Sequence, residues 1–278
     1  MPAVDTIEAL TAAVQAFDAR PLGLQVDPDA EAAVRESLER TGLVLLGEGH
    51  GVAQTPVLLD ELITWFGLGG IALEWDEDFG PWLDRWIAHG VIADPEEFGM
   101  AGLFWGGDGR ITAGHLAALR RWAASGLLIT LMDGTSIPPP VQGESAGEYG
   151  RRFWTERDAA MADRVLAAPD PAGGRLVVAG GLHTRLEPLP DDHPVAAQIG
   201  IPMGVELARQ RPGLCSIDCV YGPGGFYNVG PRHSSEPLPG QHLTAPQLVR
   251  RQGGDLQLLV PSPREATVPH HKPSRVYW

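Results

Sequence analysis

Short, mostly apolar runs recur along this chain, most of them closed by glycine or a charged residue, and between them apolar residues return every three to four positions. The runs, of which Leu43-Val44-Leu45-Leu46 is the clearest, predict strands over 43–46, 70–75, 127–132, 175–179, 214–221 and 256–260. The three-and-four spacing, as in Ile7, Leu10, Val14 and Phe17 or Val57, Leu58, Leu62, Ile63 and Phe66, predicts helices over 6–17, 27–40, 55–66, 81–89, 115–125, 155–168 and 202–209. Asp27 caps the second helix and Pro28 opens it. The 155–168 helix is expected to carry Glu156, Arg157 and Asp158 in its first turn, where the helix dipole favours acids. A looser short segment follows over 95–104. Pro138-Pro139-Pro140, with Gly143 and Gly147, predicts a long loop over 134–149. No element is predicted for the tail over 262–278.

Strands that alternate with helices specify an α/β fold: a mainly parallel central sheet with helices on both faces. One domain spanning 1–278 is expected, with a helical lid inserted at about 76–110. Right-handed crossovers bring the carboxyl ends of parallel strands to the same side of the sheet, which is where open α/β sheets bind ligands. Polar groups recur at those ends. The first run closes on Gly47-Glu48-Gly49-His50, the second on Glu74, the third on Asp133, and the fourth on Gly180-Gly181-Leu182-His183. Alone, each is ordinary: Glu48 can simply cap the next helix. Together they predict one convergent polar site.

A formal net charge of −14 and a pI near 5.0 argue against nucleic acid and anionic membrane surfaces, both of which need a basic footprint. The expected partner is a small-molecule substrate. Acidic residues at Asp5 and Glu8 exclude a signal peptide over the first twenty residues, and no window is long and apolar enough to span a bilayer, so a cytoplasmic protein is expected. Cys215 and Cys219 read as unpaired thiols. The weight of Ala, Pro, Gly and Trp, with Arg over Lys, is that of a high-GC bacterial genome.

Read in order, Gly47-Glu48-Gly49-His50, Leu73-Glu74, Leu83-Asp84-Arg85-Trp86-Ile87, Leu131-Met132-Asp133, Arg157-Asp158-Ala159-Ala160-Met161-Ala162 and Val178-Ala179-Gly180-Gly181-Leu182-His183 form a series. That series resembles the landmarks of the ChaN-like haem-binding uptake proteins, whose superfamily includes the erythromycin esterases and, more distantly, the TIKI/TraB metalloproteases. The likeness covers about residues 42–229. Erythromycin esterases typically place two residues between the Glu and His of the first motif; here there is one, as in the ChaN-like branch. ChaN-like proteins are commonly lipoproteins, and no export signal or lipobox cysteine is expected here.

The erythromycin-esterase resemblance implies that His50 is a general base for water, that Glu48 or Glu74 orients it, and that His183 or Arg185 stabilises the oxyanion. Direct attack by water is expected rather than an acyl-enzyme, the run Gly134-Thr135-Ser136 being poor support for a covalent route. Arg157, Asp158, Asp133, Arg185 and Trp105 are expected around the substrate, although Arg157 and Asp158 equally suit a structural ion pair at a helix start. This main reading requires no cofactor. The alternatives are a divalent metal on His50, His183, Glu48 and Glu74, or haem on a histidine or on Tyr149, Tyr221 or Tyr227. The remaining histidines carry no motif, and Gly222-Pro223-Gly224-Gly225 lacks the lysine of a phosphate loop. Expected overall is an esterase- or lactonase-like hydrolase of a small apolar natural product, in the setting of secondary metabolism.

Overall fold

Adjacent residues of the first long strand point to opposite faces, and both faces are apolar. Val44 and Leu46 join one buried cluster, Leu43 and Leu45 another. A strand of this kind must lie between two layers of helices. The computed structural model, which describes residues 6–98, 108–134, 138–190, 192–193, 195–196, 198–228, 231–235, 238 and 243–269, has that architecture. Its strands are β1 (Gln25–Val26), β2 (Leu43–Glu48), β3 (Gly70–Asp76), β4 (Leu128–Asp133), β5 (Arg175–Gly180), β6 (Ser216–Tyr221), β7 (Gly224–Tyr227), β8 (Pro231–Ser234), β9 (Gln247–Arg250) and β10 (Leu256–Val260). Its helices, among the described residues, are α1 (Ile7–Gln15), α2 (Pro28–Thr41), α3 (Thr55–Phe66), α4 (Gly80–His89), α5 (Ala113–Ala124), α6 (Ala146–Ala167) and α7 (Met203–Gln210).

Eight strands form one sheet in the order β1-β9-β10-β6-β2-β5-β3-β4, parallel from β10 to β4, while β9 runs antiparallel to β10; β7 and β8 form a separate hairpin. One face is covered by α1 to α5 through residues such as Leu10, Val34, Leu62, Trp82 and Leu116. On the other, α6 and α7 bring Met161, Ala162, Val165, Met203 and Leu207. No helix among the described residues is long and apolar enough to cross a membrane.

Most predicted elements stand within a residue or two of their expected bounds, and Asp27 caps α2 as its spacing required, accepting from Asp29 N and Ala30 N. Two expectations need correction, and one alternative falls away. The 134–149 loop is shorter, because Ser145 and Glu148 form a reciprocal capping box that starts α6 at Ala146. Arg157 and Asp158 therefore lie deep inside a 22-residue helix, beyond the reach of its N-terminal dipole. Glu48 is the last residue of β2 and caps no helix; α3 begins at Thr55 with no side-chain cap. In the 76–110 segment, α4 buries Trp82, Leu83 and Trp86 in the core while Asp108 and Arg110 turn to the strand ends. Residues 99–107, and with them Trp105, lie outside the described residues, as do His270 and His271.

Candidate active site

The parallel order places the carboxyl ends of β2, β5, β3 and β4 side by side, and polar groups from these ends form one cluster. Glu48 closes β2, and the turn after it carries His50, whose Nδ1 lies 3.4 Å from Glu48 Oε1. Gly49 between them can come close to β6 because it has no side chain: a Cβ there would lie 2.8 Å from the Tyr221 ring. Tyr221 fixes the turn, its hydroxyl oxygen accepting from Gly49 N at 2.9 Å.

Glu74 lies where the β3–β4 register breaks between Leu73 and Asp76, an irregularity of the kind that re-aims a side chain. Its Oε2 accepts from Gly180 N at 2.7 Å, and its Oε1 from Arg157 Nη2 at 2.7 Å. A Cβ at Gly180 would sit 3.3 Å from His50 Nε2 and 3.6 Å from Glu74 Oε2, so imidazole and carboxylate meet over this glycine. Asp133 receives Arg157 Nε at 2.9 Å and Nη2 at 2.6 Å, and Arg110 Nη1 at 2.7 Å. His183 Nδ1 donates to Asp158 Oδ1 at 2.7 Å, while its Nε2 faces Arg157 Nη1 at 3.1 Å. Asp158 is anchored in turn by Met203 N at 2.8 Å, and the Trp154 ring stacks on His183 at 4.4 Å.

Burial and charge compete here. Burial acts to lower the His50 pKa, but the Glu48 hydrogen bond and the charges of Glu74 and Glu48 outweigh it and hold the pKa above its ordinary value. For Glu74 burial acts upward, yet His183, His50, Arg157 and Arg110 together keep its carboxyl well below the usual range. Asp133 is likewise lowered against its burial, mainly by Arg157. For Asp158 burial prevails over the His183 hydrogen bond and pushes it up.

The structure thus brings together Glu48, His50, Glu74, Asp133, Arg157, Asp158 and His183. Arg185 shares no hydrogen bond with this group among the described residues; its charge acts instead on Asp218 of β6. Sequence reasoning passed over Arg110 and Asp108, and considered Tyr221 only as a haem ligand. Arg110 follows Gly109 in a turn without a motif, and only its partners, 23 and 36 residues away, reveal it. His115, expected to be merely packed, is buried with Nδ1 on Thr112 Oγ1 at 3.0 Å.

The donor set does not suit the metal considered from sequence. Arg157 stands at both His183 Nε2 and Glu74 Oε1, and no group of three or more His, Cys, Asp or Glu among the described residues is placed to hold an ion. Nor does Tyr221 suit haem iron: burial raises its pKa well above the ordinary value and its hydroxyl is engaged with Gly49. The Tyr149 ring stacks on Phe153, and Tyr227 is buried.

No protein-family model matches the chain, and no curated protein matches it in sequence. Solved structures do. A protein from Bacillus cereus aligns over 95% of this chain and 100% of its own, at TM-score 0.57 and 12% identity. A succinoglycan biosynthesis protein aligns over 94% and 98%, at TM-score 0.56 and 11% identity. A mutant of the erythromycin esterase EreC in its open conformation aligns over 86% and 95%, at TM-score 0.53 and 14% identity. ChaN of Campylobacter jejuni, solved with cofacial heme, aligns at TM-score 0.38, a likeness that carries no argument. At these identities what is shared is the fold: a distant structural relationship that includes an erythromycin esterase.

Proposed function

We propose that this chain is a hydrolase that uses His50 as a general base to direct water at the carbonyl of a small, largely apolar ester or lactone. The observation that carries the reading is the Glu48–His50 pair at the strand ends, with Nδ1 turned to Glu48 and Nε2 turned to the cleft over Gly180. Donation of Nδ1–H to Glu48 leaves the Nε2 lone pair to take a proton from water as its oxygen bonds to the acyl carbon. Glu48 and Glu74 stabilise the imidazolium so formed. Collapse of the tetrahedral intermediate breaks the acyl C–O bond, and the imidazolium returns its proton to the departing alkoxide. Arg157 and His183 hold Glu74 in place. The fold shared with an erythromycin esterase supports this chemistry by analogy, and the substrate is left at the level of its bond type.

The test is turnover of a panel of p-nitrophenyl esters and aliphatic lactones by wild type and by His50→Gln. Loss of kcat by about 10²–10⁴-fold, with the circular dichroism spectrum and Tm retained, is expected. Undiminished turnover by His50→Gln overturns the reading. Wild-type activity is also expected to survive exhaustive chelation; loss on chelation with recovery on adding a divalent ion would replace this reading by a metal-dependent one.

A further inference from the structure

Attack of water on a carbonyl places negative charge on its oxygen, and a donor must await that oxygen. Each cationic group at the cleft can be followed to its partners. Arg157 has Nε on Asp133, Nη2 on Glu74 and Asp133, and Nη1 on His183. His183 has Nδ1 on Asp158 and Nε2 against Arg157. Arg185 acts on Asp218 and shares no hydrogen bond with the cluster among the described residues. Arg110 differs. Its Nε donates to Asp108 at 2.6 Å, and its Nη1 to Asp133 at 2.7 Å and to the Glu74 backbone oxygen and Oε1 at 3.3 and 3.4 Å. No hydrogen bond leaves its Nη2 among the described residues, and its side chain, 28% exposed, is the more open of the two guanidiniums.

The turn that bears Arg110 is tied to the turn that bears His50. Gly51 N donates to Gly109 O at 3.0 Å, Gly109 adopts a φ of +90°, and a Cβ on it would lie 2.9 Å from Gly51 N. Trp75 Nε1 holds the Arg110 carbonyl oxygen at 3.2 Å. A donor with one edge fixed and the other without a hydrogen-bond partner among the described residues, on a turn tied to that of the base, is pre-organised for an oxygen that charges up during the reaction. The surroundings add a constraint on the substrate. Glu48, Glu74, Asp108, Asp133 and Asp158 outnumber Arg110 and Arg157, so a second anion brought into the cleft meets net negative charge.

We infer that Arg110 is a catalytic residue whose free guanidinium edge receives the substrate's carbonyl oxygen, and that the acyl compounds accepted are uncharged rather than anionic. This rests on the hydrolase reading above, and the experiment separates the two. Kinetics with p-nitrophenyl butyrate are measured for wild type, His50→Gln, Arg110→Gln and Arg110→Lys, and wild type is also assayed with the anionic p-nitrophenyl hemisuccinate. Arg110→Gln should lose about 10²–10³-fold in kcat with KM little changed, and regain part of it on addition of guanidinium ion far below denaturing concentrations. Arg110→Lys should fall between, because a point charge replaces a planar fork. An unchanged kcat in Arg110→Gln beside an inactive His50→Gln overturns the Arg110 assignment alone. If Arg110→Gln fails to fold, full kcat in folded Arg110→Lys overturns it. Activity retained in His50→Gln, or no turnover by wild type, removes the hydrolase reading and this inference with it. Equal or higher kcat/KM for the hemisuccinate overturns the restriction to uncharged substrates.

Discussion

His50 is pulled in two directions, and the balance sets how the protein should respond to pH. Burial acts to lower its pKa, while the Glu48 hydrogen bond and the charges of Glu74 and Glu48 raise it above the ordinary 6.5. A base must be neutral to act, so kcat should climb with pH through that raised pKa. Glu48→Gln removes the hydrogen-bonded charge and leaves the burial, which moves the limb to lower pH. The same change weakens stabilisation of the imidazolium, so the plateau kcat should fall by about tenfold or more. Glu48 Oε2 is buried without a hydrogen-bond partner among the described residues while Oε1 faces His50 Nδ1, so above the His50 titration, where the imidazole is neutral, Tm of Glu48→Gln should change little. A pH–rate profile of the variant checks the direction; a limb that stays put or moves up means Glu48 does not tune His50. Of this arrangement the Glu-x-His spacing was legible in the sequence. The clamp on it was not, because Tyr221 reaches Gly49 from 172 positions away.

Among the elements, α6 matters most to the site, since it carries both Arg157 and Asp158, and it is also where the sequence misled. Its apolar pattern is weak: it turns Asp158 inward along with Met161, Ala162 and Val165, and a buried carboxylate interrupts the three-and-four spacing that marks a helix. Only the Ser145–Glu148 box marks its start. The two-residue β1 and four-residue β9 escaped for a different reason, being too short for a periodic signal and existing only as pairs. The buried runs β2 and β5 were legible because four consecutive apolar residues closed by a glycine suit little else, and β3 and β10 because three such residues stand in a short, mostly apolar stretch. The far end of α6 is tied down by Arg175 at the start of β5. This residue, 1% exposed, donates from its guanidinium to Val165 O at 2.9 Å, a carbonyl that the helix end leaves open, and to Pro169 O at 2.6 Å just beyond it. Arg175→Met keeps the volume and orphans both oxygens, and should lower the free energy of unfolding by about 2–4 kcal/mol in urea titrations. A midpoint equal to wild type would mean the oxygens find other donors.

Over the whole molecule, the convergence of strand ends was legible as a rule of α/β topology, but the order β2-β5-β3-β4, which sets Gly180 between Glu48 and Glu74, is a property of the assembled sheet. That assembly stacks carboxylates that repel one another in a chain already at −14, and arginines hold the stack together. Glu74 and Asp133 have folded pKa values below their ordinary 4.5 and 3.8, so each stabilises the fold above the unfolded value, and that share is lost as pH falls through the folded one. His50 has the opposite sign: its raised pKa contributes below 6.5 and is lost as pH rises through the folded value. Asp158, raised by burial, gives back some stability on protonation in acid. Wild-type stability should therefore be greatest between these windows, in weakly acidic solution. Arg157→Met tests the account, because it removes the donor shared by Glu74, Asp133 and His183. Breaking such a buried pair costs about 3–5 kcal/mol at neutral pH, where both carboxylates stay charged. With the guanidinium gone, burial raises their pKa values, and protonation relieves the repulsion. The variant should then gain more stability than wild type as pH falls from 7 toward 5, and denaturant midpoints of both proteins at the two pH values measure the difference. Parallel pH curves for the two proteins would mean that Arg157 does not hold the carboxylates ionised.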